Sequence, residues 1–323
     1  MRNNTFAEIA QVISASEKIL IYPHVNMDGD ALGSAAALCK GLRKQGKECY
    51  ILIEDGIPAN LAFLDQGYCT SEQNLIRKPD LSICVDCGDP SRFEKRAGKF
   101  SSAPVTVCID HHGTTDLFCD YNYVDPKAAA TGELIYRLLR EMEAEIDQEM
   151  GEALFAAITT DTGDFQYSNT TRESHLIAAE LYDAGIDPNK VSIELYENTR
   201  IEKLLIENEA LSTMSTIGGG KGIIAYVTQD MLRKTGARLE ETEGVVQKLR
   251  SIGSVEVAAF IKETEEGDVR ISLRSKKHVD VSAIAASMGG GGHIRAAGCT
   301  LHCTMTQAFD LLKEKITDSL ELL

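Results

Sequence analysis

The sequence predicts an α/β protein with two domains, in which a mostly parallel sheet covered by helices is joined through a helical linker to a smaller α/β domain. Three observations lead to this fold class. Short apolar runs alternate with segments of helical periodicity along the first half of the chain. The 323 residues are enough to form two hydrophobic cores. A glycine-rich run at 218–222 follows a long helical segment, which is typical of a domain boundary.

The first part of the chain is predicted to alternate helices with strands. Apolar residues recur at helical spacing in residues 5–16, and the apolar run 18–22 has the length of a buried strand. Further strands are predicted at 48–53, 81–85 and 105–109, and further helices at 30–45, 128–145, 148–159 and 171–185. Parallel strands joined by helices place their carboxyl ends at one edge of the sheet, where ligands bind.

The second part of the chain has the same two kinds of element in a different arrangement. A helix is predicted at 200–216, before the glycine-rich run. Beyond it, strands are predicted at 223–228, 255–262 and 269–274, and helices at 241–251, 281–288 and 306–322. The predicted organisation is a first domain at 1–190, a helical linker at 191–220 and a second domain at 221–323.

The charge of the chain restricts its partners. The formal net charge is −16, which argues against binding of long nucleic acids, including long duplex DNA, because these need many Lys and Arg contacts. Residues 1–220 contain 19 basic and 35 acidic residues, whereas residues 221–323 contain 14 of each. An excess of acidic residues in the first part is expected if that part binds cations.

Composition favours a cytoplasmic location. No apolar stretch approaches the roughly 20 residues of a membrane span, and no membrane partner is expected. The apolar residues of 6–13 have helical spacing, whereas a secretory signal has a continuous apolar segment. The nine cysteines are an odd number that lie mostly in apolar segments, which is typical of a reducing compartment.

Side chains that bind metals follow three of the predicted strands. A fourth polar segment, 159–171, follows a predicted helix. The candidate metal ligands of these four segments are His24, Asp28, Asp30, Asp86, His111 and Asp161. Hard divalent ions such as Mn²⁺ or Mg²⁺ prefer carboxylates combined with imidazole. Gly29 is expected to let the backbone bend between two of the carboxylates. The alternative of a calcium loop fails because the template positions hold Leu32 and Cys39, while an Asp-Gly turn without metal stays open.

The four segments, taken in order, resemble the DHH family of phosphoesterases, which is named for its Asp-His-His motif. The matching motifs are His24-x-x-x-Asp28-Gly29-Asp30, Asp86, Asp110-His111-His112 and Asp161-Thr162-Gly163. The C-terminal part resembles the DHH-associated domain through Arg274-Ser275-Lys276, Gly289-Gly290-Gly291-Gly292-His293 and Ala296-Ala297-Gly298. The resemblance covers nearly the whole chain.

This resemblance implies a role for each matching residue. It implies two Mn²⁺ ions per site, with Mg²⁺ or Co²⁺ as alternatives. One ion would be bound by His24, Asp28 and Asp86, and the other by Asp30, Asp86, His111 and Asp161. Asp86 would bridge the ions, Asp110 would orient an imidazole, and His112 would approach the substrate phosphate. The implied substrate-binding residues are Arg274, Ser275, Gly290, Gly291, Gly292 and His293.

The implied activity is hydrolysis of phosphoesters by a water that two metal ions activate. The family includes pyrophosphatases, single-strand exonucleases, cyclic-dinucleotide phosphodiesterases and compact bacterial enzymes that degrade very short RNA and dephosphorylate 3′-phosphoadenosine 5′-phosphate. Arg274 and the glycine motif favour nucleotides over pyrophosphate, and we expect short RNA or a phosphorylated nucleotide as substrate.

Two alternatives to this activity stay open. One is a phosphodiesterase specific for linear dinucleotides (pApA or pGpG) or for cyclic dinucleotides. The other is a nucleotide-binding regulator without catalysis. The sequence leaves the oligomeric state open, with a homodimer as one option.

Overall fold

The computed structural model describes residues 2–321, which divide between Asn198 and Thr199 into two compact units. Unit 1 precedes this division and unit 2 follows it. Each unit contains a six-stranded sheet and its own hydrophobic cores. The predicted fold class, two α/β domains of which the first has a parallel sheet, is confirmed. Within residues 2–321 no helix combines the length and the apolar character that a membrane span requires.

The sheet of unit 1 is entirely parallel. Its strands are β1 (Lys18–Tyr22), β2 (Glu48–Leu52), β3 (Cys69–Thr70), β4 (Leu81–Val85), β5 (Val105–Asp110) and β6 (Tyr121–Val124). They pair in the order β3-β2-β1-β4-β5-β6. The order therefore reverses between β1 and β4. All five residues of β4 are buried, as expected for a central strand with both faces covered.

Helices cover both faces of this sheet. They are α1 (Phe6–Ser14), α2 (Gly29–Lys44), α3 (Glu94–Phe100), α4 (Thr131–Glu141), α5 (Gln148–Asp161), α6 (Arg172–Asp183) and α7 (Pro188–Tyr196). The larger core packs one face of the sheet against residues such as Leu38 of α2 and Leu154 of α5. The smaller core on the other face includes Phe93 and Phe100.

Unit 2 has a mixed sheet. Its strands are β7 (Ser215–Ile217), β8 (Gly222–Val227), β9 (Val257–Glu263), β10 (Val269–Ser275), β11 (Gly291–His293) and β12 (Ala296–Leu301). They pair in the order β11-β12-β10-β9-β8-β7, and only the β8–β9 pair is parallel among these described strands. The helices are α8 (Ile201–Ser212), α9 (Gln229–Thr235), α10 (Val245–Ser251), α11 (Val281–Ala286) and α12 (Met305–Glu321).

The boundary between the units differs from the predicted organisation. The interval predicted as a linker, 191–220, is divided, because α7 packs in the core of unit 1 while α8 packs in a core of unit 2. The glycine-rich run lies inside unit 2, between the antiparallel strands β7 and β8. Gly218 to Gly220 have φ of 53°, 65° and 87°, so this run forms a turn. Residue 322 of the helix predicted at 306–322 lies outside the described residues.

Candidate metal centre

The predicted metal ligands of unit 1 meet at the carboxyl edge of its sheet. The loop after β1, the residue after β4 and the residue after β5 supply His24, Asp86 and His111. The start of α2 and the last position of α5 supply Asp28, Asp30 and Asp161. Because β1 and β4 flank the reversal in strand order, these residues surround the point where parallel sheets open a crevice for ligands.

Asp86 lies between two groups of donor atoms. Its Oδ2 is 3.5 Å from His24 Nε2, which is 3.7 Å from Asp28 Oδ1. Its Oδ1 is 3.6 Å from His111 Nε2. That second imidazole nitrogen is 3.4 Å from Asp161 Oδ2 and 3.8 Å from Asp30 Oδ2. One ion can contact several donors spaced in this way, because metal–ligand bonds are about 2.0–2.2 Å long.

Both imidazoles have backbone partners that suit a metal ligand. His24 Nδ1 is 2.7 Å from the Val25 carbonyl oxygen, and His111 Nδ1 is 3.3 Å from the Ala128 carbonyl oxygen. When Nδ1–H donates to a carbonyl, the lone pair is on Nε2. In each residue Nε2 is the atom that faces the carboxylates. The donor set therefore fits two divalent cations.

Asp30 is buried and receives hydrogen bonds from the start of α4. Its Oδ2 accepts from the Thr131 amide at 2.7 Å, and its Oδ1 accepts from the Gly132 amide at 2.8 Å and from the Ser34 hydroxyl at 3.1 Å. Thr131 also donates its hydroxyl to Asp86 Oδ1 at 2.9 Å. These bonds fix the directions of two candidate ligands before any ion binds.

The carboxylates of the site raise one another's proton affinity. Burial, together with the nearby charges of Asp86, Asp161 and Asp28, raises the pKa of Asp30 well above its ordinary value. Burial and Asp86 also raise the pKa of Asp161 to about 6, although His111 opposes the shift. Like charges this close are stabilised by cations, which is consistent with a metal centre.

Two backbone features bring the ligands together. Asp86 has a φ of 53°, a left-handed conformation that Asp tolerates better than most residues and that clusters at functional sites. Gly29 does not supply the expected sharp bend, because it is the first residue of α2 and its φ is not positive. A Cβ at position 29 would instead lie 2.4 Å from the Thr160 side chain, so glycine lets α2 approach α5 beside Asp161.

Asp110 and His112 form a pair beside the ligands. Asp110 is fully buried, and its Oδ1 accepts from His112 Nδ1 at 2.8 Å and from the His111 amide at 2.8 Å. Its Oδ2 accepts from the Thr115 hydroxyl. The bond to Asp110 raises the pKa of His112 to about 9. His112 Nδ1 is also 3.6 Å from Asp86 Oδ1, but its bond to Asp110 leaves only Nε2 to face a ligand.

A cavity of about 620 Å³ opens over these residues within unit 1. Its lining includes the candidate ligands His24, Asp28, Asp86 and Asp161, together with His112. The rest of the wall is mostly polar and is formed by Asn26, Cys87, Gly88, Asp89, Ser91, Arg92 and Thr114. The volume and the polar wall suit a small phosphorylated substrate better than an apolar one.

In unit 2, Arg274 and His293 lie on the same face of the sheet. Both are in register with Ala296 of β12, and directly opposed residues in antiparallel strands point to the same side. Two residues beyond Ala296 on β12, Gly298 pairs with Gly291 of β11, and both residues lie on this same face. The face between Arg274 and His293 is therefore lined by small residues. The strands that carry these two side chains are separated by about two strand spacings of 4.8 Å each.

The predicted glycines of unit 2 differ in their surroundings. A Cβ at Gly290 would lie 2.2 Å from the Gly298 carbonyl oxygen, and one at Gly292, where φ is 139°, would lie 2.6 Å from the Ala296 carbonyl oxygen. A Cβ at Gly291 would meet no heavy atom within 4 Å. Two glycines are thus needed for close packing of β11 on β12, while Gly291 borders open space.

Ser275 does not present a free hydroxyl to a ligand. It is 1% exposed, and its Oγ donates to the Val279 carbonyl oxygen at 2.6 Å. Arg295 donates to the same carbonyl at 2.7 Å and also to the Lys277 carbonyl. Ser275 is therefore better assigned to holding the turn at 276–280 than to the direct substrate contact expected from the sequence.

The structure adds residues that sequence reasoning missed. Thr131 and Thr115 bind the buried carboxylates, and Arg92 lies on the cavity wall. None of these residue types is a characteristic ligand of divalent ions, so no motif points to them. For Thr131 the available signal is its position at the start of a helix, where free backbone amides bind anions.

Fold and site together define a class of proteins, namely α/β proteins that hold a cluster of carboxylates and imidazoles at the switch point of a parallel sheet. The chain belongs to the DHH family. Residues 18–158 match the DHH family, N-terminal domain, and residues 208–321 match the DHHA1 domain. The resemblance seen in the sequence is confirmed.

Similar proteins cover nearly the whole chain. The bifunctional oligoribonuclease and PAP phosphatase NrnA of Thermus thermophilus is 32% identical over 97% of this chain and 93% of the relative. The protein of the same name in Bacillus subtilis is 28% identical over 91% of this chain and 93% of the relative. A crystal structure of an exopolyphosphatase-related protein from Bacteroides fragilis has a TM-score of 0.90 at 26% identity, covering 98% of this chain and 96% of that chain.

Proposed function

We propose that this chain hydrolyses short oligoribonucleotides, from di- to pentanucleotides, to mononucleotides and removes the 3′-phosphate of 3′-phosphoadenosine 5′-phosphate. The main support for the proposal is that two groups of metal-binding side chains lie at the carboxyl edge of the unit 1 sheet and share Asp86. The names of the relatives in Thermus thermophilus and Bacillus subtilis support this choice of substrates.

The metal ions we propose are two Mn²⁺, with Mg²⁺ or Co²⁺ as alternatives. His24, Asp28 and Asp86 would bind one ion, and Asp30, Asp86, His111 and Asp161 the other. Carboxylates combined with imidazole support this choice, because purely oxygen sites favour Mg²⁺ or Ca²⁺ and thiolate sites favour Zn²⁺. When bound, such a pair of ions supplies an acidified water and offsets charge on the phosphoryl oxygens.

Asp110 and His112 act together in this proposal. The hydrogen bond from His112 Nδ1 to Asp110 Oδ1 fixes the imidazole and favours its charged form. A charged His112 can attract the phosphoryl group and can give a proton to the leaving oxygen. Asp110 is fully buried and acts through His112, so it is a positioning residue.

Unit 2 binds the nucleotide part of the substrate in this proposal. Arg274 and His293 flank a strip of small residues that lets a phosphate or sugar approach the backbone. Burial and the neighbouring charge of Arg250 lower the pKa of Arg274, and the negative charge of an anion bound there would stabilise the charged guanidinium against both effects. Gly291 borders this strip, and Gly290 and Gly292 hold β11 in place beside it.

A parallel assay tests the proposal. Purified protein with Mn²⁺ is given di- to pentanucleotide RNA, 3′-phosphoadenosine 5′-phosphate, pApA, pyrophosphate and long single-stranded DNA, with an Asp86→Ala variant as the background. We expect turnover of the short RNAs and of 3′-phosphoadenosine 5′-phosphate, and little turnover of pyrophosphate or long DNA. Turnover of pApA alone would instead identify a phosphodiesterase specific for linear dinucleotides. No turnover with Mn²⁺, Mg²⁺ or Co²⁺ would contradict the proposal.

We also propose a cytoplasmic location. All nine cysteines lie within the described residues and are free, and seven of them are buried. Free thiols persist in a reducing compartment. Labelling of the cysteines in protein taken from intact cells, with and without prior reduction, should give the same extent of modification.

A further inference from the structure

Arg92 is a cationic side chain on the wall of the metal cavity. It belongs to a short 3₁₀ helix, Pro90–Phe93, and it is exposed. Among the residues that line this cavity, all of them in the described part of the chain, it is the one Lys or Arg. The lining also has six carboxylates and histidines, of which four belong to the proposed metal centre. Arg92 therefore has a charge that the metal centre does not use.

The backbone around Arg92 is fixed to the loop that carries His24. The Val25 amide donates to the Arg92 carbonyl oxygen at 2.8 Å. One turn further on, Arg96 is 1% exposed and donates to the Pro23 carbonyl oxygen at 3.0 Å. These bonds on both sides of His24 fix the backbone of Arg92 beside the candidate ligand.

The guanidinium of Arg92 lacks a protein acceptor that suits it. Its Nη2 is 3.0 Å from His24 Nδ1. When His24 binds a metal through Nε2, its Nδ1 carries a proton, so two donors would face each other at that contact. The carboxylate of Asp89 is nearby, but its Oδ1 accepts from the Ser91 amide at 2.8 Å, and this bond together with the charge of Arg92 lowers the pKa of Asp89. The donors of the guanidinium are available to an anion in the cavity.

We propose that Arg92 binds an oxygen of the phosphoryl group that is hydrolysed. This inference rests on the proposed function, which places that group at the metal centre. A guanidinium presents parallel N–H donors that match two phosphate oxygens, and it stays charged at every working pH. Arg92 Nη2 is 3.0 Å from the His24 imidazole and lines the same cavity as the candidate ligands, so the guanidinium lies beside the position proposed for the reacting phosphoryl group.

Kinetic measurements test this role. Arg92→Ala and Arg92→Lys are compared with Arg77→Ala, which removes an exposed arginine of unit 1 outside the cavity. We expect Arg92→Ala to lower kcat/KM by about 10- to 100-fold for both a dinucleotide and bis-p-nitrophenyl phosphate, which has a single phosphate. Arg92→Lys should recover part of the rate, and Arg77→Ala should leave it unchanged.

Two further measurements separate this role from others. Metal content, determined by mass spectrometry, should be the same in Arg92→Ala and in the unmodified protein, whereas loss of metal would show that Arg92 only positions His24.

Calorimetric titration of the Mn²⁺-loaded protein with inorganic phosphate should give about 10-fold or more weaker binding in Arg92→Ala. Equal phosphate affinity, or a rate loss confined to substrates with a second phosphate, would overturn the inference. Because phosphate binding is measured without turnover, an inactive protein would contradict the proposed function and still leave Arg92 tested.

Discussion

Asp86 is the residue on which both candidate ion positions depend. Its two oxygens face different imidazoles, at 3.5 Å from His24 and 3.6 Å from His111. Its left-handed backbone conformation costs free energy that only the surrounding structure can offset. A buried carboxylate shared by two cations is more favourable than a buried carboxylate alone, because each ion offsets the cost of removing the charge from water.

We predict that Asp86→Ala abolishes turnover and lowers metal content below two ions per chain. The rate should fall by at least about 1,000-fold, because the metal ions supply several kcal/mol of charge stabilisation. Metal content by mass spectrometry and initial rates on dinucleotides check this. The matched control is Asp116→Ala, which removes an exposed carboxylate near the site that belongs to none of the donor groups. A variant with two ions and near-normal rates would remove the bridging role.

At the residue scale the sequence points to the candidate metal ligands, which the structure brings together, but not to the residues that hold them in place. The side chains His24, Asp86 and Asp161 are recognisable because imidazole and carboxylate are metal ligands and follow predicted elements. The amide of Gly132 and the hydroxyl of Thr131 have no such signature, because any residue offers an amide and hydroxyls occur throughout the chain. Their role depends on where α4 begins in space, which a single sequence does not specify.

At the scale of elements, the glycines at β11 have different roles, because Gly290 allows close packing on β12 whereas Gly291 borders open space. We predict that Gly290→Ala destabilises the protein by about 1–3 kcal/mol, because its Cβ would overlap the Gly298 carbonyl oxygen. Gly291→Ala should leave the free energy of unfolding within about 0.5 kcal/mol, since its Cβ meets open space. If Gly291 borders the nucleotide, this variant should still raise KM for dinucleotides. Urea unfolding and steady-state kinetics check both effects, and an unchanged KM would remove Gly291 from the binding surface.

The turn after β10 depends on one carboxylate. Glu256 accepts hydrogen bonds from the amides of Lys277, His278 and Val279, at distances of 2.6 to 3.3 Å. Although partial burial opposes the charge, these amides lower the pKa of Glu256 below its ordinary value. Glu256 and Arg295 thus hold the turn that follows Arg274.

This arrangement predicts a dependence of stability on pH. A carboxylate with a lowered pKa in the folded state stabilises the protein above its unfolded pKa of about 4.3, and the contribution is lost as pH falls through the folded pKa. We expect Glu256→Gln to be less stable than the unmodified protein at pH 7, with the difference shrinking between about pH 5 and pH 3. Chemical unfolding at several pH values measures this. A difference that is constant over that range would show that the charge is not involved.

The sequence predicts the central strands of both sheets better than the strands at or next to their edges. The buried strand β4 matches its apolar run at 81–85, whereas the sequence indicates no strand for β3, β6, β7, β11 or the six-residue β12. Such strands are held by pairing with a neighbour, and Gly291-Gly292-His293 has no intrinsic preference for a strand. Asp161 is expected in a polar loop, but it is the last residue of α5, in which the hydroxyls of Thr159 and Thr160 bond to carbonyls one turn earlier instead of competing for the helix amides.

At the scale of the whole molecule, charge is divided between the two units as their roles require. Residues 1–198 contain 17 basic and 32 acidic residues, while residues 199–323 contain 16 basic and 17 acidic residues. The first unit is therefore strongly anionic and holds the donor groups, and the second is almost neutral. The folded form of unit 1 brings carboxylates together, so binding of cations should stabilise that unit selectively.

Hydrogen exchange with mass spectrometry can locate this stabilisation in the full chain. At a Mn²⁺ concentration of 100 Kd, exchange of the most protected amides of β1, β4 and β5 should slow by about 100-fold for each ion bound, because a ligand that binds only the folded form stabilises it by about 2.7 kcal/mol per site. Peptides of β8, β9 and β10 serve as the internal control and should change little. At one fixed Mn²⁺ concentration the slowing relative to metal-free protein should be larger at pH 8 than at pH 5.5, since burial raises the pKa of Asp161 to about 6 and its proton competes with the ion below that pH. Equal slowing in both units, or slowing that grows as pH falls, would mean that the cations bind outside the cluster around Asp86.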